Sequence, residues 1–260
     1  MSVEIIRGMP EAEYRARPER SQSDFKTMLE PTPAHALYKM QNRREKSCFD
    51  LGHALHSLFL EGLRLHAVEP VADGRTGVGK VIKAAFAAEN QGKIILSAKD
   101  GEAVEGMVAG LMRNQGIVEI LESAIAKEIS IFWDGMKARL DLVFPLGVFD
   151  LKSCNSAEFR LFQKDIEKWG YHIQAPCYLD AAAVAGFPCE NFFFGAVESS
   201  PPYEAALYRI GHRSLEAGAA KLRELKDLYY GCEESGAYPG YSQEPVEIDL
   251  PAWALRESAQ

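Results

Sequence analysis

Between residues 128 and 153 the chain alternates short β-rich runs with tight turns. EISIFWDG and MKARLDLVFP are joined by Asp134-Gly135, a dipeptide that favours the type I′ hairpin turn. Leu146-Gly147 makes a second tight turn into VFDLKS, which predicts a three-strand meander over 128–153. NFFFGAVES and YEAALYRI read as two further strands, separated by Ser199-Ser-Pro-Pro.

Helical patterns flank these runs. Ser21-Gln-Ser23-Asp24 offers N-cap residues before Phe25-Lys26-Thr27-Met28-Leu29, and Pro31 and Pro33 end that short helix. A second helix is expected from Ala34 to Arg44. Asp50 is placed to cap LGHALHSLFLEG, where Leu51, Leu55, Leu58 and Phe59 recur at helical spacing and Gly62 fits the end. Val68–Lys80 reads as a glycine-bearing loop, followed by a helix from Val81 to Gln91. Ser97 suits the cap of a helix over Ala98–Met112. After the meander come a helix carrying Phe159, Phe162 and Ile166, another over Tyr171–Ala185, and an amphipathic one over Ser214–Tyr230.

The expected architecture is α/β (α+β): a central mixed sheet flanked by helices. It forms one domain over residues 21–260, after a polar, extended N-terminal arm over residues 1–20 that contains Pro10 and Pro18. With 260 residues, 25% charged and 47% apolar, the chain is neither collagen-like nor mostly disordered. No apolar run approaches the ~20 residues of a membrane span, so no membrane partner is expected. The first residues lack the apolar stretch of a secretory signal. Five scattered cysteines without a CxxC pair point away from disulfides, cysteine-held zinc and iron–sulfur clusters, and toward a cytoplasmic setting. The formal charge of −8, taken alone, weighs against nucleic-acid binding, but a net charge cannot show where a local basic groove lies.

The chemistry concentrates in Arg139-Leu-Asp141 and Phe149-Asp150-Leu151-Lys152. Asp141 and Asp150 fall on neighbouring strands of a predicted hairpin. Two carboxylates brought together repel unless a cation lies between them, so the pair asks for a metal. Period-two alternation puts Lys152 on the face of Asp150, where it can orient a water and neutralise charge on a phosphate. A salt bridge on a solvated strand face would use the same residues, and D-x-K alone does not separate the two. Gln174 and Tyr178 share a helical face at i, i+4; a half-buried Tyr beside a polar residue is the plain alternative. His56 stands four residues after Gly52, which would allow a close backbone approach. It is a metal-ligand candidate or a satisfied, partly buried histidine; His53 competes for the role. Gly74–Lys80 fits part of a P-loop, but Val81 stands where Ser or Thr should bind Mg²⁺ and no buried strand precedes it. Cys154 has no partnered His or Asn in sequence to make it a nucleophile.

In order, Gly52-x-x-x-His56, Asp141, Asp150-Leu-Lys152 and Gln174-x-x-x-Tyr178 resemble the PD-(D/E)XK nuclease superfamily, in its RecB-like branch. More narrowly, together with Ser21-x-Ser23-x-Phe-Lys26, LGHALHSLFLEG, KARLDLV, FDLKS and Tyr171-His172-x-Gln174-Ala175, they resemble the phage exonuclease VIII (RecE-type) family. Cys154 and Asn155 depart from threonines common in such relatives. The resemblance implies a PD-(D/E)XK restriction-endonuclease-like core and a Mg²⁺-dependent 5′→3′ exonuclease on linear double-stranded DNA, with Mn²⁺ as a substitute. It implies His56, Asp141, Asp150 and the Leu151 carbonyl as metal ligands, Lys152 as the catalytic lysine, and Gln174 and Tyr178 in support. It also implies a toroidal homotetramer, a RecT-type single-strand annealing partner, and a phage or prophage source in a bacterial host. Lys80, Lys83, Arg139 and Arg160 are candidates to line a basic DNA channel. The alternatives are a structure-specific or Cas4-like endonuclease, or a non-catalytic DNA-binding module on the same fold.

Overall fold

The structure, a computed structural model, describes residues 3–42, 47–187 and 189–257. The N-terminal part contains β1 (Val3–Arg7), α1 (Glu11–Ala16), α2 (Gln22–Phe25), a 3-10 turn (Lys26–Leu29), α3 (Pro33–Gln41) and α4 (Ser47–Glu61). Then come β2 (His66–Val68), α5 (Gly77–Glu89), β3 (Ile94–Leu96), α6 (Ala98–Arg113) and α7 (Gln115–Glu122). The meander is β4 (Ala126–Trp133), β5 (Met136–Phe144) and β6 (Gly147–Cys154). It is followed by α8 (Phe159–Lys168), α9 (Tyr171–Val184), β7 (Asn191–Glu198), β8 (Ala205–Arg209), α10 (His212–Ser235) and α11 (Ala252–Glu257).

The central sheet is six-stranded and mixed, ordered β1-β4-β5-β6-β7-β8. β6 and β7 run parallel; the other neighbours are antiparallel. This follows from chain length between strands. Two-residue turns can only reverse direction, whereas the α8–α9 crossover is long enough to return the chain parallel. At the first turn Asp134 and Gly135 both take positive φ (44° and 73°), as a type I′ turn requires.

Helices cover both faces, as expected. Leu55 and Phe59 of α4, Val104, Met107 and Leu111 of α6, and Ile117 of α7 bury against Leu142, Phe149 and Leu151. On the other face Phe162 of α8 and Ala175, Ala181 and Ala182 of α9 pack on Ile129, Leu140, Val148 and Phe194. A third cluster joins α10 to α9 and the α2 region through Phe25, Ile173, Cys177, Leu222 and Leu225. Gly218 makes that approach possible: a Cβ there would lie 1.7 Å from the carbonyl oxygen of His172.

Several expectations change. The first twenty residues are not a free arm: Val3–Arg7 pairs antiparallel with Ile129–Trp133 as the edge strand of the sheet. Its half-polar composition hides it, because an edge strand needs little apolar surface. The α4 helix begins at Ser47, so Asp50 lies in its first turn and is not its cap. The expected continuation of α3 through Arg44 lies outside the described residues. α5 starts at Gly77 with Thr76 as its cap, four residues before Val81. Val68 belongs to β2, which pairs with β3 in a small parallel sheet that the loop reading missed. Ser21 caps α2 in a capping box with Asp24, and Ser97 caps α6. No described helix is long and apolar enough to cross a membrane.

Candidate active site

The site grows from the place where the β5–β6 ladder stops. The turn is Pro145-Leu146 and not the expected Leu146-Gly147, since Gly147 already pairs in β6; it sets Phe144 opposite Gly147, Val143 opposite Val148 and Leu142 opposite Phe149. Asp141 and Asp150 are the next facing positions. There Oδ2 of Asp141 accepts a hydrogen bond from the Leu151 backbone N–H at 2.7 Å. Alternation along β6 sends Phe149 and Leu151 into the core beneath α4 and α6, and Asp150 and Lys152 toward α9. Oδ1 of Asp150 accepts from Nε2 of Gln174 at 2.6 Å. Its Oδ2 is ion-paired with Lys152, whose Nζ also lies 4.8 Å from the centre of the Tyr171 ring.

His56 enters from α4 on the opposite layer. Its Nε2 lies 3.2 Å from the Leu151 carbonyl oxygen. Its Nδ1 stands 3.6 Å from both Oδ2 of Asp141 and Oε1 of Glu128. His53 is exposed and takes no part. The glycine argument for His56 does not hold, since a Cβ on Gly52 would meet nothing within 4 Å. Helical phase alone turns His56 inward.

Glu128 was not among the expected residues. It takes φ +45° in β4, between the pairs Lys127–Leu142 and Ile129–Leu140, and so faces Asp141 across the strands. Counting outward from Asp134-Gly135 pairs 128 with 141, so the signal was present in the turn register. With Asp150 beyond Asp141, three carboxylates form one row across β4, β5 and β6.

Electrostatics make this row a candidate cation site. Burial pushes His56 down, but the Asp141 and Glu128 carboxylates outweigh it and raise its pKa to about 9. Burial, with Asp150 and Glu128 adding repulsion, raises Asp141 to about 7 against the pull of His56 and Lys152. Burial lowers Lys152, yet Asp150 and Asp141 overcome it, and the amine stays charged. Oε1 of Glu128 and Oδ2 of Asp150 are buried and accept no hydrogen bond, although Lys152 neutralises the latter. His56, Glu128 and Asp141 each present a ligand atom within 4.8 Å of the others. Carboxylate oxygens with one imidazole suit a divalent cation. The protonated His56 fills the same electrostatic need without one. Asp150, expected in the ligand set, lies beside this group and is anchored by Gln174 and Lys152.

Tyr178 is half-buried on α9 with its ring 6.2 Å from that of Phe192; burial first, and then Asp150, push its hydroxyl well above the usual tyrosine range. Lys26 is a second unforeseen neighbour. Burial, then the repulsion of Lys152, lower it to about 8, and it donates to the Trp169 carbonyl at 3.1 Å. Cys154 donates to the Val197 carbonyl at 3.4 Å, and burial raises its thiol to about 12, the opposite of a nucleophile.

Among the expected DNA-contacting cations, Lys80 and Arg160 are exposed on α5 and α8. Lys83 pairs with Glu69 at 2.8 Å. Arg139, the fourth, is engaged within the protein. It donates to Ser130 Oγ, Glu11 and the Met9 carbonyl and stacks on Tyr14, clamping the N-terminal segment to β5. Three of the five donors of its guanidinium are committed to structure.

A family model described as a PDDEXK-like domain of unknown function (DUF3799) matches residues 21–248. The chain belongs to this family. DUF3799 is thereby the frame for the site above, within the PD-(D/E)XK nuclease superfamily. The match begins at Ser21, so β1 and α1 lie outside it. No curated protein matches the DUF3799 chain. Among solved structures, a protein described as a "Putative exonuclease" from Eubacterium rectale is similar, with a TM-score of 0.62 at 12% identity, over 95% of this chain and 97% of that one. At that identity the likeness is one of fold.

Proposed function

We propose that this DUF3799 protein is a Mg²⁺-dependent exodeoxyribonuclease that hydrolyses linear double-stranded DNA. The observation that carries the reading is the convergence of His56, Glu128, Asp141, Asp150 and Lys152 around the Leu151 peptide.

In this reading His56, Glu128 and Asp141 hold a divalent ion, with Asp150 and the Leu151 carbonyl at its side. The bound ion supplies Lewis-acid charge to a phosphate oxygen and a more acidic water. Asp150 keeps its orientation through Gln174. Lys152 is charged, so it serves to orient the attacking water and offset phosphate charge, not to remove a proton. The Tyr171 ring limits where that ammonium can swing.

The likeness of the motif order to the exonuclease VIII family supports 5′→3′ polarity, processive digestion that leaves 3′ tails, a ring-shaped homotetramer, and a single-strand annealing partner of RecT type. Digestion of linear duplex labelled separately at the 5′ and 3′ ends, with and without Mg²⁺, tests the proposal. Early release of the 5′ label, and no cutting of closed circles, is expected. Cleavage of closed circles would replace it with an endonuclease, and no cleavage of any DNA with a replete metal would overturn it.

A further inference from the structure

Trp169 sits in the turn between α8 and α9 and is built for something other than packing. Its backbone is fixed: its N–H closes onto the Asp165 carbonyl at 3.0 Å and its carbonyl accepts from Lys26. Gly170 then takes φ +63° to start α9. The residue is 53% exposed and belongs to no core cluster. Its ring lies 4.8 Å from the Lys168 ammonium.

α8 and its cap carry three acids, Glu158, Asp165 and Glu167, against three cations, and the cations are gathered on one side. Arg160, Lys164 and Lys168 follow at i, i+4 and i+8 along the exposed side of α8. None of the three has an ion-pair partner among the described residues. Glu167 is the acid on that side. The stripe ends at Trp169, and two residues further Tyr171 lies against Lys152.

An exposed, backbone-anchored aromatic at the end of a row of cations matches how proteins grip single strands: cations follow the phosphates and a ring takes a base face. We propose that Trp169 is a stacking platform for a nucleobase of the strand at the active site, with Arg160, Lys164 and Lys168 tracking its phosphates. The inference rests on the nucleic-acid reading above and adds a base-contacting subsite to it.

Quenching of tryptophan fluorescence by a metal-free, single-stranded oligothymidylate of about ten nucleotides tests it without any cleavage. The full-length chain carries Trp253→Phe to remove the other strongly exposed indole. Trp169→Phe should abolish the quench and bind within a few-fold of the parent. Trp169→Ala should weaken binding about 5- to 100-fold, the usual worth of one stacked base. An oligomer of abasic sites should bind the parent and Trp169→Ala equally. Unchanged affinity and quench in Trp169→Ala, or equal parental affinity for abasic and base-bearing strands, would overturn the platform. Parallel digestion of linear duplex reports on the nuclease reading separately, since binding without cleavage would spare the one and remove the other.

Discussion

The side-chain amide of Gln174 donates to Oδ1 of Asp150 at 2.6 Å across the α9–β6 interface, and both residues are buried. That one bond fixes the carboxylate plane and leaves Oδ2 facing Lys152. Loss of a partner that orients a metal-site ligand typically costs about 10- to 100-fold in metal affinity or activity.

Gln174→Ala should therefore lower cleavage of linear duplex about 10- to 100-fold with little change in DNA affinity. Loss of a buried bond to a charged group should also reduce stability by about 1.5–3 kcal/mol. Single-turnover rates and thermal melting measure the two effects. A variant with full activity would remove Gln174 from the site.

Glu128→Gln keeps the shape and removes the charge. If Glu128 is a ligand, half-saturation by Mn²⁺ should shift upward by more than about tenfold, while the metal-free variant stays folded. Its metal-free stability should fall only modestly, because losing contact with charged His56 is offset by less repulsion of Asp141. Calorimetric titration checks the shift.

If the site binds a cation, proton linkage should give the protein a metal-dependent pH profile. His56 is raised to about 9, so its contribution to stability is full below its ordinary value of 6.5 and is lost as pH climbs toward 9. Asp141 is raised to about 7 by burial, so its ionisation costs stability progressively from pH 3.8 upward. Both terms weaken the metal-free fold as pH rises. A cation needs the deprotonated groups and reverses both. The gap in melting temperature between Mg²⁺-loaded and chelated protein should widen from pH 6 to pH 9. A constant gap would disconnect His56 and Asp141 from metal binding.

Arg139→Ala tests the clamp on the N-terminal segment. With bonds to Ser130, Glu11 and Met9 gone, stability should drop by about 2–3 kcal/mol, and exchange protection of β1 amides should fall first. The salt dependence of DNA binding should keep its slope, since a residue off the phosphate track releases no counterions. A shallower slope would return Arg139 to the DNA path.

Much of the site could be read from local pattern. Period-two alternation set Asp150 and Lys152 on one face, whereas the turn that sets Asp141 opposite Asp150 is Pro145-Leu146, one residue before the expected Leu146-Gly147. The i, i+4 spacing of Gln174 and Tyr178 placed both on one side of α9, though only Gln174 bonds to a site residue. These are short-range rules, written within a hairpin or two turns of helix. Glu128 obeyed the same register count from Asp134-Gly135, but its backbone twist to φ +45° is not encoded by any residue preference.

What the sequence determined alone was the meander, most of its flanking helices and the carboxylate–lysine face. Tertiary structure decided which distant elements supply the rest. β1 joins the sheet because β4 offers an open edge, Arg139 turns from groove candidate to clamp because α1 lands on it, and His56 prevails over His53 because α4 docks on that side. Lys26 reaches the site because α9 begins at Gly170, beneath its side chain. Local sequence carries periodicity and turn chemistry, whereas contacts between segments separated by many residues depend on how whole faces bury together.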